Sequence, residues 1–232
     1  MHLFYQPDAE SNSFLSEEES RHCVKTLRLS KGATIDVTDG NGKRHKCVII
    51  TADPRRCTFR IVETEFEPPR PYRIHLAVAP TKNSDRIEWL VEKAVEFGID
   101  QFSFFIGQHS ERRMLKTDRL EKIAIAGMKQ SLQFYKPVIN PLMEFETALT
   151  LSADHRYIAH LPENEPAASF FKTAQPGGTT LMLVGPEGDF SANEIVQAVE
   201  KGFKMVTLGS TRLRTETAAL AACHTIHLIN AG

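Results

Sequence analysis

A chain of 232 residues, 41% hydrophobic and 25% charged, is long enough to bury one large domain or a small one beside a medium one, and too apolar to be disordered. Its formal net charge of -1 supplies no overall basic field, so any nucleic-acid role must come from segregated charge. No run approaches the roughly 20 apolar residues that span a bilayer, the N-terminus lacks the regions of a secretory signal, and a cytoplasmic protein is expected.

The first elements in chain order are short and rich in β-formers. Met1 to Tyr5, Thr34 to Thr38, Lys46 to Thr51 and Thr58 to Glu65 are punctuated by Gly32, Asp39-Gly40-Asn41-Gly42 and Asp53-Pro54, a pattern that predicts a small β-barrel. One helix interrupts it from Ser16 to Leu27, opened by Ser16 and by Glu17 to Glu19, whose carboxylates suit the positive end of the helix dipole. Charge is grouped here: Arg21, Lys25, Arg28 and Lys31 lie close together, as do Lys43, Arg44 and Lys46, then Arg55, Arg56 and Arg60, while acids gather from Glu63 to Glu67. Such grouping can make a basic face on a neutral protein.

Glu67-Pro68-Pro69-Arg70-Pro71 breaks both periodicities, and a domain boundary is placed there, giving domains 1–71 and 72–232. Beyond it the chain alternates. Strands are expected at Arg73 to Ala79, Gln101 to Ile106, Arg156 to His160, Thr180 to Val184 and Met205 to Leu208. Helices are expected at Ser84 to Phe97, Thr117 to Leu132, Ala167 to Phe171, Ala192 to Lys201 and Thr215 to Asn230. This rhythm predicts an α/β domain with a mostly parallel sheet, which pattern alone would leave unknotted. Cys23, Cys47, Cys57 and Cys223 are scattered, and reduced thiols are the simplest reading; Cys223 and His227 share a helix face but have no complementary ligand pair, so no metal is expected.

Two glycine-bearing loops close apolar runs in this second half. Val184-Gly185-Pro186-Glu187-Gly188 leads into Ser191-Ala192-Asn193-Glu194, the pattern of a capping box, and Leu208-Gly209-Ser210-Thr211-Arg212-Leu213-Arg214 leads into an Ala-rich helical run. In open α/β sheets, ligands bind beyond the carboxyl ends of strands, where glycine lets backbone groups approach them. No G-x-G-x-x-G follows a strand and no Walker A run is present, so dinucleotide and triphosphate cradles lose their usual sequence support.

Leu183 to Ser191 and Leu208-Gly209 with Leu213 to Ala218 resemble the signature of the 16S ribosomal RNA uracil-N3 methyltransferases, the RsmE-type branch of the SPOUT class. Upstream, Lys82 to Glu88, Glu92 to Gly98 and Gln130-Ser131 resemble the same family, and His22 to Arg28 with Gly32 and Asp39-Gly40 resembles its first domain. Three positions depart: Asp189 stands where the family usually repeats Gly, Gln133 where an Arg commonly follows, and Phe97 where Leu is usual.

The resemblance implies a PUA-like RNA-binding barrel followed by a SPOUT domain with a C-terminal trefoil knot, working as a homodimer. It implies S-adenosylmethionine bound by His160, Leu161, Val184, Gly185, Pro186, Gly188, Leu208, Gly209, Leu213, Thr217 and Ala218, and 16S ribosomal RNA, presented on the small subunit, as substrate and partner. A sulfonium methyl is already activated, so an enzyme must align it and exclude water, while uridine N3 must lose a proton and its developing charge needs a donor. Arg214 is the candidate for that role. Glu216 either orients Arg214, serves the helix dipole or accepts the proton, and Arg212 is either a surface residue or a phosphate contact. Arg21, His22, Arg28, Lys43 and Arg44 are candidate RNA contacts, with Arg112 and Arg113 a second cationic edge or a solvated face. A catalytically silent assembly factor and a methyltransferase of another RNA are the alternative readings.

Overall fold

The computed structural model describes residues 2–162 and 168–231. Two compact units are present: Met1–Pro69 with Met128–Lys136, and Arg70–Gly127 with Pro137–Gly232. The main cut thus falls two residues before the position expected from the proline run. The excursion at Met128–Lys136 has no counterpart in the sequence reading. It is fastened to the first unit by Gly42 N to Phe134 O at 2.9 Å, Lys136 N to Gly40 O at 2.8 Å and Tyr135 Oη to Glu67 O at 2.6 Å. Gly42 is required at this seam, since its φ is +95° and a Cβ there would run into the Tyr135 hydroxyl.

In the first unit, β1 (Leu3–Tyr5), β2 (Thr34–Thr38), β3 (Lys43–Thr51) and β4 (Thr58–Phe66) form one sheet in the order β1-β2-β3-β4. β1 runs parallel to β2 and the other pairs are antiparallel. Helix α1 (Glu17–Arg21) is capped by Ser16, whose hydroxyl accepts from Glu19 N at 3.2 Å, and it widens into a π turn over His22–Thr26. Alternate residues point inward, so Phe4, Ile35, Val37, Cys47, Ile49 and Phe59 share a core with Leu15 and Cys23.

The second unit is a seven-stranded, wholly parallel sheet in the order β7-β6-β5-β10-β8-β11-β9. Its strands are β5 (Tyr72–Val78), β6 (Gln101–Ile106), β7 (Val138–Glu144), β8 (His155–Ala159), β9 (Ala168–Ser169), β10 (Gly178–Val184) and β11 (Lys204–Thr207). Its helices are α2 (Ser84–Glu96), α3 (Thr117–Gln130), α4 (Phe145–Ala148), α5 (Phe170–Thr173), α6 (Ala192–Glu200) and α7 (Thr215–Asn230). In α2, Ile87, Leu90, Val91, Ala94 and Val95 make one buried stripe at helical spacing.

Three elements depart from expectation. β7 was hidden by Pro141, which removes a ladder donor; the strand lies at the sheet edge and is irregular there, where proline is tolerated. α4 is too short to leave a periodic signal. The helix expected over Ala167 to Phe171 is instead a strand at Ala168–Ser169, paired with Val206 and Thr207, and helix α5 begins only at Phe170; Ala167 lies outside the described residues.

One buried polar chain crosses the sheet. Asn140 Nδ2 donates to Ser103 Oγ at 2.8 Å, and Ser103 Oγ lies 2.8 Å from His75 Nε2, leaving the hydroxyl proton for an unprotonated ring nitrogen. His75 is only 3% exposed, and burial pushes its imidazole down to about 4. Cys23, Cys47, Cys57 and Cys223 are buried free thiols. Cys223 points its sulfur to the Ala94 carbonyl, and His227 Nδ1 lies 3.2 Å from the Tyr72 hydroxyl, so both residues of the sequence's half metal site have packing roles. Among the described residues no helix is long and apolar enough to cross a membrane, and no group of three metal-ligating side chains is present.

Candidate functional site

Strands β10, β8 and β11 are adjacent and parallel, so their carboxyl ends emerge side by side. Three loops follow from them: Gly185 to Phe190 after β10, His160-Leu161 after β8, and Leu208 to Arg214 after β11. Together with the first turn of α7 they enclose a cavity of about 310 Å³, within the size range of small-molecule sites.

The walls are fixed by specific bonds. The Thr215 hydroxyl donates to the Gly185 carbonyl at 3.0 Å, tying the start of α7 to the β10 loop. His160 N donates to Val206 O at 3.0 Å, and the Thr207 hydroxyl donates to Gly209 O at 2.6 Å. Below the β10 loop, the ring of Phe190 stacks on Phe105 with centroids 6.0 Å apart and meets Phe145 at 5.9 Å. Gly185 is demanded by that packing, since a Cβ there would sit 3.0 Å from the Phe190 ring. The capping box of α6 is formed: the Ser191 hydroxyl accepts from Glu194 N at 3.3 Å, and Glu194 Oε2 accepts from Ser191 N at 2.8 Å. The other oxygen of Glu194 accepts from Gln108 N at 2.8 Å, which anchors the neighbouring loop.

Nine of the eleven cofactor candidates line this cavity: His160, Leu161, Val184, Gly185, Pro186, Leu208, Gly209, Leu213 and Ala218. Gly188 and Thr217 do not. A Cβ at Gly188 would face His109 at 3.0 Å, and Thr217 is exposed beside a separate shallow hollow with Asp85, Arg86 and Trp89. Arg214 lines the cavity and is exposed, with no ion pair among the described residues. Glu216 sits elsewhere: Thr215 and Ala218 turn one face of α7 to the cavity, and Glu216 falls on another, where its carboxylate lies 3.7 Å from Arg86 Nε. Its Oε2 is buried without a hydrogen-bond partner among the described residues.

Sequence reasoning passed over Asp189 as a site residue. It lines the cavity in a left-handed conformation, φ +63°, which glycine adopts freely and Asp tolerates. Its Oδ1 accepts from Phe190 N at 2.7 Å, and its Oδ2 lies 3.0 Å from His160 Nδ1. The one available signal was its departure from a repeated glycine. Arg212, left open in sequence, also lines the cavity and reaches the Glu187 carbonyl at 3.4 Å.

The cationic candidates divide by what holds them. Lys43 pairs with Glu10 at 2.8 Å, Arg44 with Asp36 at 3.2 Å and Glu65 at 3.4 Å, and Arg21 with Glu17 at 3.0 Å. Arg112 donates to the Thr81 and Lys82 carbonyls, so it braces the segment leading into α2. His22, Arg28 and Arg113 are exposed, and Lys25, Arg28 and Lys31 form no ion pair among the described residues.

Comparison with known proteins fits this arrangement. Residues 68–227 match the RNA methyltransferase domain family, and residues 15–62 match the RNA methyltransferase PUA domain. Fold and site thus define a two-domain protein of the RNA methyltransferase class. Ribosomal RNA small subunit methyltransferase E of Aquifex aeolicus is 30% identical over 234 residues, covering 95% of this chain and 96% of the relative. The crystal structure of a probable rRNA-methyltransferase from Porphyromonas gingivalis superposes with a TM-score of 0.92 at 42% identity, covering 100% of this chain and 99% of the other. That of ribosomal RNA small subunit methyltransferase E from Neisseria gonorrhoeae, bound to S-adenosyl methionine, gives 0.89 at 28% identity, with 99% and 98% covered. The chain belongs to the ribosomal RNA small subunit methyltransferase E family.

Proposed function

We propose that this protein methylates N3 of a uridine in 16S ribosomal RNA, with S-adenosylmethionine as methyl donor, and that the cavity between the β10 and β11 loops is the donor site. The observation that carries the reading is the convergence of two glycine loops and the His160 turn on one cavity, with Arg214 in its wall. The residues fit such a ligand: Val184, Leu208, Leu213 and Ala218 supply apolar surface for a purine, and the loop backbones supply polar groups for its edge. Bound there, S-adenosylmethionine supplies a methyl group already activated by its positive sulfur.

The chain's own contribution is placement and charge. The Thr215–Gly185 bond holds the walls in register, and Phe190 stiffens the loop from beneath. Arg214, exposed and in no ion pair among the described residues, is positioned to stabilise negative charge on uracil oxygens as N3 becomes nucleophilic. Glu216, turned to Arg86, is read as a positioning group of the α7 N-terminus, with the proton of N3 passing to solvent.

Lys25, Arg28 and Lys31 form the proposed phosphate-binding face of the first domain, while the paired Lys43 and Arg44 contribute less. The C-terminal segment is proposed to be threaded as a trefoil knot, supported by α7 packing on α2, β5 and β10 while its first residue bonds to the β10 loop. A homodimer through the second domain is supported by Trp89 of α2 and Leu228 of α7, 42% and 51% exposed; Ala219 and Ala222 are already buried within the protomer. The proposed site of action is the assembled small subunit in the cytoplasm. Mass-spectrometric mapping of 16S uridines from cells with and without the protein tests the reading: loss of one N3-methyluridine supports it, and an unchanged map refutes it.

A further inference from the structure

Asp189 is an unusual resident of a turn. Glycine would hold φ +63° without steric cost, so the backbone does not explain a carboxylate here. One oxygen makes the local bond to Phe190 N; the other, Oδ2, is held by His160, which lines the same cavity from the loop after β8. The remaining charged groups of the lining are otherwise disposed. Glu187 turns its carboxylate to Lys82 N at 3.0 Å, and Arg212 reaches across to the Glu187 carbonyl. Asp189 is therefore the anion that the cavity itself presents, and Arg214 is an exposed cation of the same lining.

Resting on the donor assignment above, we propose that Asp189, oriented by His160, is a specificity-determining residue that makes the site prefer the methyl donor to its demethylated product. The two ligands differ in charge at one atom. S-adenosylmethionine carries a sulfonium, an ammonium and a carboxylate, net +1; when the S–CH3 bond breaks and the N3–CH3 bond forms, the sulfur becomes a neutral thioether and the product's net charge is 0. The ammonium and carboxylate are common to both, so only the sulfonium can distinguish them electrostatically. A fixed carboxylate in the same small cavity favours the cation, and Asp189 is partly solvated, with its side chain 40% exposed, so the preference is moderate: about three- to ten-fold. The consequence is weaker competitive inhibition by the product at a given ratio of the two ligands.

Calorimetry on the intact protein tests this with S-adenosylmethionine and S-adenosylhomocysteine, in wild type, Asp189→Asn and Asp189→Gly. Asparagine keeps the left-handed turn and the acceptor for Phe190 N; glycine keeps the turn without any side chain. Thermal melting of each variant verifies folding. The expected result is a weakening of S-adenosylmethionine by about three- to ten-fold in both variants, little change for the product, and a wild-type preference that shrinks with added salt. An unchanged ratio of the two affinities in both variants overturns the proposal, as does equal weakening of both ligands, which would mark Asp189 as an anchor for the shared ammonium or for the loop. Wild-type protein that binds neither ligand would refute the donor site itself, a separate outcome.

Discussion

His75 makes the stability of the second domain depend on pH in a calculable way. Its folded pKa of about 4 lies below the ordinary value of 6.5, so the unfolded chain binds the proton more readily. The sign follows: the contribution is fully present above pH 6.5, declines as pH falls towards 4, and is constant below that. Between about pH 7.5 and pH 5 the two pKa values give a loss of about 2 kcal/mol from this residue. In His75→Gln the amide can still bond Ser103 Oγ but cannot titrate, so that part of the slope should vanish. The chain's one tryptophan, Trp89, lies in α2 and reports unfolding of this domain by fluorescence. Urea titrations at both pH values should show the wild-type midpoint falling further than the variant's by about 1 M. Every other titrating group is common to both proteins and cancels in the comparison. Equal shifts in the two proteins would refute the reasoning, because His75 would then be protonated in the fold or neutral at no cost.

The remaining predictions concern the site. Arg214→Ala should retain S-adenosylmethionine affinity in calorimetry while losing on the order of 100-fold in single-turnover methylation; Glu216→Gln should lose far less, and an equal loss would restore Glu216 as the base. Gly185→Ala should lower Tm by about 3–6 °C through the Phe190 clash, and Phe190→Leu should recover part of that in the double variant, as non-additive melting temperatures would reveal. Replacing Lys25, Arg28 and Lys31 by Ala, Asn and Ala should weaken binding to ribosomal RNA and reduce the slope of log affinity against log salt by about 2; an unaltered slope places the RNA elsewhere.

Much of the architecture was legible because it rests on local chemistry. The capping box at Ser191 and Glu194, the stripe of α2 and the punctuation of β2 to β4 all lie within a few residues of one another. So did the glycine loops, and adjacency of β10, β8 and β11 then gathered them. What escaped depended on partners distant in sequence. Lys46 and Arg44 looked like free cations until the β3–β4 register set them opposite Glu63 and Glu65. His160 and Asp189 are 29 residues apart and meet only because their strands are neighbours. Glu216 was misplaced because the sequence reading gave Thr217 and Ala218 to the cofactor, whereas Thr215 and Ala218 form the cavity face of α7 and turn Glu216 away. Pro141 argued against a strand that only an edge position permits.

The assignment of Met128–Lys136 to the first domain bears on the order in which the protein can be made. When residues 1–69 have left the ribosome, Gly40, Gly42 and Glu67 still lack the backbone and hydroxyl partners that Phe134, Tyr135 and Lys136 bring. Before those arrive, β5 and β6 of the other domain must be synthesised, although β10, the strand that pairs with β5 on its other side, is not yet translated. Neither domain can therefore finish as a unit while the chain is still short, contrary to the usual domain-by-domain sequence of vectorial folding. The nascent chain must carry an incomplete first domain and an unpaired parallel strand edge together, a state of high contact order in which assistance from a chaperone has most to protect.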